Sequence, residues 1–461
     1  MEWDYIHLIN YKSLNAIFIG PSMTLMRISN DMCDVVKRLK SGENEDNLII
    51  EYTNKGIDIT KFLEEIKIKL IATKVKSKWH KNSKTISKII LHVSNSCNLK
   101  CRYCYAHGGT YNLPSSKLTK ESADNFIKFS IDNFDQVKYI LFFGGEPFLN
   151  LEVMVYICQA FHQAYKEKRT KFIPKFGVVT NGTILNDNIV EFIDTYIHSI
   201  TVSIDGLKQI NDINRIYTNG RGTFDEIYKF IQTIKNRTKS TIFFESTFTK
   251  EHIAYGYKHK DIYNSLTNLL KINGFIVNEM SINYDSIDKF INKPINLENL
   301  DYDDLPIEFW NVLNCIVNNR GNIICPMHKE LFAVSTQGDI YPCHLVLGKP
   351  KVYCGNITNK NIYTHPEEFK SLLSKKLSKE NIVCKSCWAN RICGGCAIDF
   401  FFNNDTDDFD SSPMKKPCQL TRDHITKLLS MIVAIKSDSK TWESLLLYMK
   451  KNKSKINNAK V

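Results

Sequence analysis

Cys97, Cys101 and Cys104 stand in the stretch Cys97-Asn-Leu-Lys-Cys101-Arg-Tyr-Cys104, a C-x3-C-x2-C spacing. Thiolates this close can hold three irons of a cubane cluster and leave the fourth iron open. Iron–sulfur clusters normally take four cysteine ligands. The missing ligand implies that a further molecule binds the open iron. A zinc knuckle uses the same residue type, so the rest of the chain has to decide between the two.

The chain has 461 residues, 43% of them hydrophobic, enough for more than one core. No apolar run reaches the ~18–20 residues that span a bilayer. The N-terminus, Met1-Glu-Trp-Asp-Tyr-Ile-His, lacks a basic stretch followed by an apolar one, so no signal peptide is expected. A cytoplasmic location with no membrane partner is the expectation. Fourteen cysteines in such a compartment read as metal ligands before disulfides. They gather in the first motif and beyond residue 310, whereas Cys33 and Cys158 fall on expected helices as apolar thiols. The net charge of +12 reads as a solvated lysine-rich surface. No basic block interleaved with aromatics points to nucleic acid.

Residues 1–75 read as a separate small domain. Ala16 to Ile19 and Thr24 to Ile28 suit a hairpin around Gly20-Pro-Ser. Asn30 can cap a helix carrying Met32, Val35, Val36 and Leu39, and Gly42 ends it. Asn47 to Tyr52 suits a helical turn or strand. A second amphipathic helix starts near Thr60, with Phe62, Leu63, Ile66 and Leu70 on one side. The polar, basic segment 76–87 reads as a linker.

Residues 88–310 alternate short apolar strands with helices. The expected strands are Ile89–Val93, Tyr139–Phe143, Phe176–Thr180, Ile200–Ile204, Thr241–Thr247 and Met280–Tyr284. This alternation predicts parallel strands with helices outside, and catalytic groups in such folds sit at strand C-terminal ends. The cysteine loop starts just after the first strand. Gly144-Gly145-Glu146-Pro147 follows the second, Thr180-Asn181-Gly182 ends the third, and Ser203-Ile-Asp205-Gly206 ends the fourth. Arg215 follows shortly after.

Together these motifs resemble the radical S-adenosylmethionine (SAM) enzymes. The resemblance implies an α/β fold, a partial (β/α)6 TIM-type barrel. It implies a [4Fe–4S] cluster on Cys97, Cys101 and Cys104, with SAM on the open iron. Tyr103 matches the aromatic residue before the third cysteine. Gly144, Gly145, Glu146 and Pro147 would hold the methionine amino group, with Glu146 and nearby carbonyls as acceptors. Thr180, Asn181, Ser203 and Asp205 would line the SAM pocket. Arg215 would pair with the SAM carboxylate, a bidentate task suited to a guanidinium. The implied chemistry is one-electron cleavage of SAM to a 5′-deoxyadenosyl radical that removes hydrogen from a C–H bond.

Residues 311–435 are rich in cysteine, and 436–461 read as a C-terminal helix and basic tail. Cys325 precedes Gly338-Asp-Ile-Tyr-Pro-Cys343, and Cys384-x2-Cys387-x5-Cys393-x2-Cys396 precedes Cys418. The pattern resembles the SPASM domain, which implies two auxiliary [4Fe–4S] clusters. Cys384, Cys387, Cys393 and Cys418 would hold the outer one, and Cys325, Cys343 and Cys396 the inner one. The usual gap between the last pair is three residues and here it is two, which puts the role of Cys396 in question. Cys354 and, more weakly, Cys315 are candidates for the inner cluster's fourth ligand; otherwise the site is open to a substrate thiolate. His344, directly after Cys343, stands where some relatives place a proton acceptor.

The N-terminal order of hairpin, helix and helix is similar to the winged-helix domains that bind leader peptides in peptide maturases. The resemblance therefore implies a maturase that crosslinks a ribosomally made precursor peptide. A thioether is favoured, by Cys387-Trp-Ala-Asn-Arg and by the open inner cluster; a carbon–carbon bond is the other form. Flavodoxin or ferredoxin would supply electrons. The competing readings are a sulfatase-type maturase forming formylglycine and a non-catalytic iron–sulfur peptide-binding protein.

Overall fold

The computed structural model describes residues 2–71, 84–278, 300, 302, 305, 307–319, 321, 327, 330–359, 382–394, 396–410 and 412–452. The N-terminal unit begins with an antiparallel meander of β1 (Ile6–Tyr11), β2 (Leu14–Ile19) and β3 (Thr24–Ile28). Helices α1 (Asn30–Lys40), α2 (Glu45–Asn54) and α3 (Thr60–Ile71) follow. The expected hairpin is β2–β3; β1 is an additional strand. The unbroken run Ala16-Ile-Phe-Ile19 has a physical reason. Ile17 and Ile19 pack with Val36 and Ile66 of the unit's own helices, whereas Ala16 and Phe18 pack against the C-terminal helices. A strand covered on both faces needs apolar residues at every position. Ser29, not Asn30, caps α1 by accepting from Met32 N; Asn30 Oδ1 instead accepts from Asn15 Nδ2 at 2.6 Å.

The second unit is a sheet of parallel strands in chain order: β5 (Lys88–Ser94), β7 (Tyr139–Gly144), β8 (Lys175–Thr180), β9 (Ile197–Ser203), β10 (Thr241–Phe248) and β11 (Asn273–Asn278). The short strands β4 (Thr85–Ile86) and β6 (Gln136–Val137) pair beside it. Helices α4 (Lys120–Asn133), α5 (Leu151–Lys166), α6 (Asp187–Tyr196), α8 (Phe224–Arg237) and α10 (His259–Leu270) lie along one face, and the short α7 (Lys208–Asn214) and α9 (Lys250–Ala254) sit at strand ends. The last strand is Asn273–Asn278; the expected one at Met280–Tyr284 lies outside the described residues. Alternation along the strands sorts the side chains. Ile89, Leu91, Ile140, Phe142, Ile200, Val202, Ile242 and Phe244 join the core under the helices. Their neighbours Ile90, His92, Leu141, Phe143, Ser203, Phe243 and Glu245 therefore face the lumen.

The cysteine-rich part continues the same sheet. β12 (Leu331–Val334) pairs in parallel with β5, and β13 (Asp339–Tyr341) and β14 (Gly355–Asn356) follow antiparallel. The helix Ile307–Asn318 runs across residue 310, where the sequence suggested a boundary. The long helix Lys415–Lys436 starts beside Cys418 and ends under the N-terminal sheet, where Lys436 Nζ donates to Leu25 O at 3.2 Å. The helix Ser439–Lys451 packs on it. No described helix is long and apolar enough to cross a membrane.

The N-terminal sheet is bracketed to the cysteine-rich loop. The rings of His7 and Trp388 stack at 3.8 Å and 9°. A Cβ on Gly20 would meet Trp388 O at 2.3 Å, so only glycine allows this approach. Arg391 Nη1 donates to Pro21 O at 2.5 Å and to Asn319 Oδ1 at 3.1 Å. Trp388 and Arg391 thus serve as a structural bracket, which removes the Cys387-Trp-Ala-Asn-Arg stretch as a sign of thioether chemistry.

Burial in this bracket, with a smaller effect from Lys40, pushes the His7 imidazole down to about 4. The unfolded chain takes up a proton near pH 6.5 that the folded chain refuses until about 4. Stability should therefore fall as pH drops through that window, by up to about 3 kcal/mol. Thermal melts at pH 7 and pH 5 check this. His7→Phe, which keeps a flat ring on Trp388, should flatten the slope; an unchanged slope would place the titration elsewhere.

Candidate active site

The site forms at the C-terminal ends of the parallel strands. The cysteine loop leaves β5 and is stitched to the segment after α7. Lys100 N donates to Ile216 O at 2.7 Å, Arg102 N donates to Asn214 O at 3.0 Å, and Leu99 bridges Tyr217. This stitching carries Arg215 to the cysteine loop, where its charge acts on the Cys101 thiol. All three thiols keep some accessible surface. Cys97 Sγ accepts weakly from Leu99 N and Asn181 Nδ2. Burial first, and the Glu146 charge second, push its thiol up to about 12.

The Gly144-Gly145-Glu146 backbone lies against the same loop. Gly145 N donates to Ser94 O at 2.9 Å and Glu146 N donates to Ser96 O at 2.8 Å. Gly109, at φ +92°, sits so close that its Cβ would meet Gly145 Cα at 2.4 Å. The Glu146 carboxylate turns inward and is fully buried. It accepts from Phe148 N at 3.1 Å, Thr180 Oγ1 at 2.8 Å and Asn181 N at 2.8 Å. Burial pushes it up to about 7, against the pull of those bonds. The carboxylate expected to face an ammonium group makes contacts here that tie β7 to the end of β8. Thr180 spends its hydroxyl the same way, and Asn181 reaches Asn98 Oδ1 at 2.8 Å.

A second polar group joins three of the expected residues. The Tyr103 hydroxyl donates to Asp205 Oδ1 at 2.9 Å and accepts from Arg215 Nη1 at 2.6 Å. Asp205 Oδ1 also accepts from Thr247 N at 3.2 Å, and Asp205 O faces His252 Nε2 at 2.6 Å. Among the described residues, Asp205 Oδ2, Arg215 Nε and Asn214 Oδ1 are buried without a hydrogen-bond partner. Ser203 lines the lumen beside them.

Deeper in the lumen lies an aromatic patch. His92 is fully buried, with neither ring nitrogen hydrogen-bonded, and packs edge-on to Tyr111 at 4.9 Å and Phe143 at 5.4 Å. Burial pushes it down to about 3. His344 sits 4.9 Å from the Phe143 ring and 6.4 Å from that of Tyr105. Its Nδ1 lies 3.6 Å from Cys343 Sγ, and burial pushes it down to about 4, so it is neutral near pH 7. Sequence reasoning missed His92, Tyr105, Tyr111 and Glu245. The available signals were Tyr105 directly after Cys104 and the alternation along β5 and β10.

In the cysteine-rich part, Cys343, Cys384, Cys393, Cys396 and Cys418 border one apolar cluster. Cys387 N donates to Cys384 O at 3.1 Å, and the Cys387 charge is felt at Cys418. Cys354 faces the helix-side core, with Sγ 3.4 Å from Val352 O. Cys315 is buried among Phe309, Leu313 and the N-terminal sheet, in a core that Cys387 and Cys393 also border. Cys325 lies outside the described residues. Cys33 and Cys158 are buried in cores. Among the described residues, no group of three or more His, Cys, Asp or Glu is placed to hold a metal ion.

The Gly109–Gly145 approach predicts that Gly109→Ala forces the two loops apart. Affinity for SAM should fall by at least about tenfold, read by equilibrium binding to protein with its clusters reconstituted. Unchanged affinity would show that this approach does not shape the site.

Residues 91–254 match the Radical SAM superfamily. The chain is similar to an uncharacterized protein of Methanocaldococcus jannaschii, 29% identical over 287 residues, 59% of this chain and 89% of the other. A cysteine-type anaerobic sulfatase-maturating enzyme of Clostridium novyi is 27% identical over 340 residues, 68% of this chain and 88% of that enzyme. The radical SAM cyclopropyl synthase TigE of Paramaledivibacter caminithermalis is 23% identical over 421 residues, 84% of this chain and 82% of TigE. The solved structure of anSMEcpe with bound AdoMet shares the fold at a TM-score of 0.57 and 20% identity, over 78% of this chain and 98% of that one. Residues 91–254 thus carry a Radical SAM superfamily domain, and the chain is an enzyme similar over most of its length to radical SAM maturases.

Proposed function

We propose that the chain is a maturase that installs an intramolecular crosslink in a ribosomally made precursor peptide, a thioether first and a carbon–carbon bond otherwise. The observation that carries the reading is the N-terminal sheet. Both its faces are covered, so its outer edge is what remains for a partner. β3 is an outer strand, and an extended leader peptide can add to such an edge. The His7–Trp388 bracket ties that sheet to the cysteine-rich loop, which also borders the barrel lumen.

The residue types suit the cofactors that this superfamily uses, although the described thiols are not gathered into a metal-holding group here. Three partly accessible thiols lie on one loop, beside an arginine with unpartnered buried donor capacity. Cys97, Cys101 and Cys104 would hold the [4Fe–4S] cluster. Arg215 would pair with the SAM carboxylate, with the Gly144–Pro147 backbone, Tyr103, Thr180, Asn181, Ser203 and Asp205 around it. Cys384, Cys387, Cys393 and Cys418 would hold an outer cluster, and Cys325, Cys343 and Cys396 an inner one, with Cys354 a candidate fourth ligand. When bound, the cluster and SAM supply the 5′-deoxyadenosyl radical that takes a hydrogen atom from the peptide. Tyr103 and Asp205 hold the Arg215 guanidinium in one orientation. The lumen aromatics exclude water from the attacked carbon. His344, neutral near pH 7, would take the proton released as the crosslink closes, and the auxiliary cluster would take the electron. Flavodoxin or ferredoxin suits the supply of reducing electrons.

The sulfatase-maturating relatives favour a second reading, oxidation of one cysteine to formylglycine. The match to TigE covers more of this chain, 84% against 68%. Anaerobic co-expression with the peptide encoded beside the gene separates the readings by intact mass and thiol alkylation. A loss of two hydrogens with a cysteine that no longer alkylates is expected. The same loss with every thiol reactive would mean a carbon–carbon bond, and an aldehyde-reactive product would mean formylglycine. Joint replacement of Cys97, Cys101 and Cys104 by alanine should abolish every product; a variant that still modified the peptide would sink both readings.

A further inference from the structure

We infer that Glu245 contacts the substrate, accepting a hydrogen bond from an N–H or O–H of the peptide and so fixing which carbon faces the cofactor end of the lumen. The inference deepens the proposed peptide reading and rests on it. Glu245 lies on β10 level with Ser203 of β9 and Phe275 of β11. Its neighbours Phe244 and Ser246 are buried on the opposite face. The side chain therefore points into the lumen, where it keeps accessible surface although it is deep in the protein.

Three groups define its surroundings. The Arg215 and Asp205 charges both act on it, which places it next to the cofactor end. Its own charge acts on the Tyr105 hydroxyl, which also feels Cys343, at the cysteine-rich end. Glu245 thus stands at the junction of the two ends, where the reacting part of a substrate has to sit.

No hydrogen bond within the described residues reaches its carboxylate, and burial holds the group up at about 7. The contrast with Glu146 is direct. That buried carboxylate has three donors from the chain itself and serves the fold. An enclosed carboxylate without a donor is costly, and nothing in β10 uses it. A ligand that brings a donor removes the cost. Tyr103 already bridges Arg215 and Asp205 Oδ1, and the unpartnered Asp205 Oδ2 is buried, whereas Glu245 keeps accessible surface and so is an acceptor that a peptide can reach.

The test uses the full enzyme with reconstituted clusters, reduced with dithionite in the presence of SAM, with and without the precursor peptide encoded beside the gene. Without peptide, Glu245→Ala should form 5′-deoxyadenosine within about twofold of the wild type. With peptide, its modification rate should fall by about a hundredfold or more, the scale of a misplaced reacting atom. Glu245→Gln, which keeps an acceptor of the same shape, should recover part of that rate. An unchanged rate in Glu245→Ala overturns the inference. Parallel loss of peptide-free 5′-deoxyadenosine, with iron content and melting temperature intact, also overturns it and moves Glu245 to the cofactor. The wild type run alongside tests the crosslink reading separately. If it cleaves SAM but leaves the peptide unmodified, the crosslink reading fails. Glu245 is then read from peptide-stimulated 5′-deoxyadenosine formation, which Glu245→Ala should lose.

Discussion

The buried carboxylate of Glu146 is the contact on which the site depends. It accepts from the backbone of Phe148 and Asn181 and from the Thr180 hydroxyl, so one side chain joins the ends of two neighbouring strands. Hydrogen bonds to a charged acceptor contribute about 1.5–3 kcal/mol each, and they work here against the desolvation that raises the group to about 7. Because Asn181 is held this way, its side-chain nitrogen reaches Asn98 and Cys97. The position of the cysteine loop is thus set from the second and third strands as well as from the first. Glu146 thus helps to position the cysteine loop through Asn181.

A second constraint works at the scale of the whole chain. Sequence-distant parts meet in one core, where Phe18 and Leu25 of the N-terminal sheet pack with Phe309 and with Leu428, Leu429 and Ile432 of the helix Lys415–Lys436. That helix carries Cys418 near its start. Movement of the N-terminal sheet would therefore strain a helix anchored in the cysteine-rich part, and also the Trp388 loop between Cys387 and Cys393. A shift of the N-terminal sheet would thus be felt around those thiols through the helix and the loop.

Much of the barrel was legible because its signals are local. Strand, turn and motif recur together, and Gly144, Thr180, Ser203 and Asp205 all fall at strand ends as the alternation predicts. The errors have physical causes. β1 pairs with the adjacent β2, yet it is hard to read because His7 and Asn10 look like loop residues until Trp388 and Cys33 meet them. Asn30 was read as a cap because it starts the helix, but Ser29 has the extended backbone a cap needs. The strand Asn273–Asn278 is not legible in the sequence because Asn273-Gly-Phe-Ile-Val carries a glycine that normally breaks a strand. Here the glycine admits the Phe244 ring, which a Cβ would meet at 2.3 Å. Trp388 and Arg391 looked chemical only because they neighbour cysteines.

The lumen is polar at one end and aromatic at the other, and this gradient constrains any substrate. Near the cysteine loop stand Tyr103, Asp205 and Arg215, bonded to one another. Toward Cys343 stand His92, Tyr105, Tyr111, Phe143 and His344, where burial holds both histidines neutral near pH 7. A charged side chain would lose its water in the aromatic part. An apolar side chain or a neutral thiol would lose little. A substrate that enters the lumen should therefore be uncharged where it passes His344, with any polar donor turned back toward β10. Such a gradient would align a flexible substrate before any bond changes, so that part of the entropic cost of orientation is met on binding.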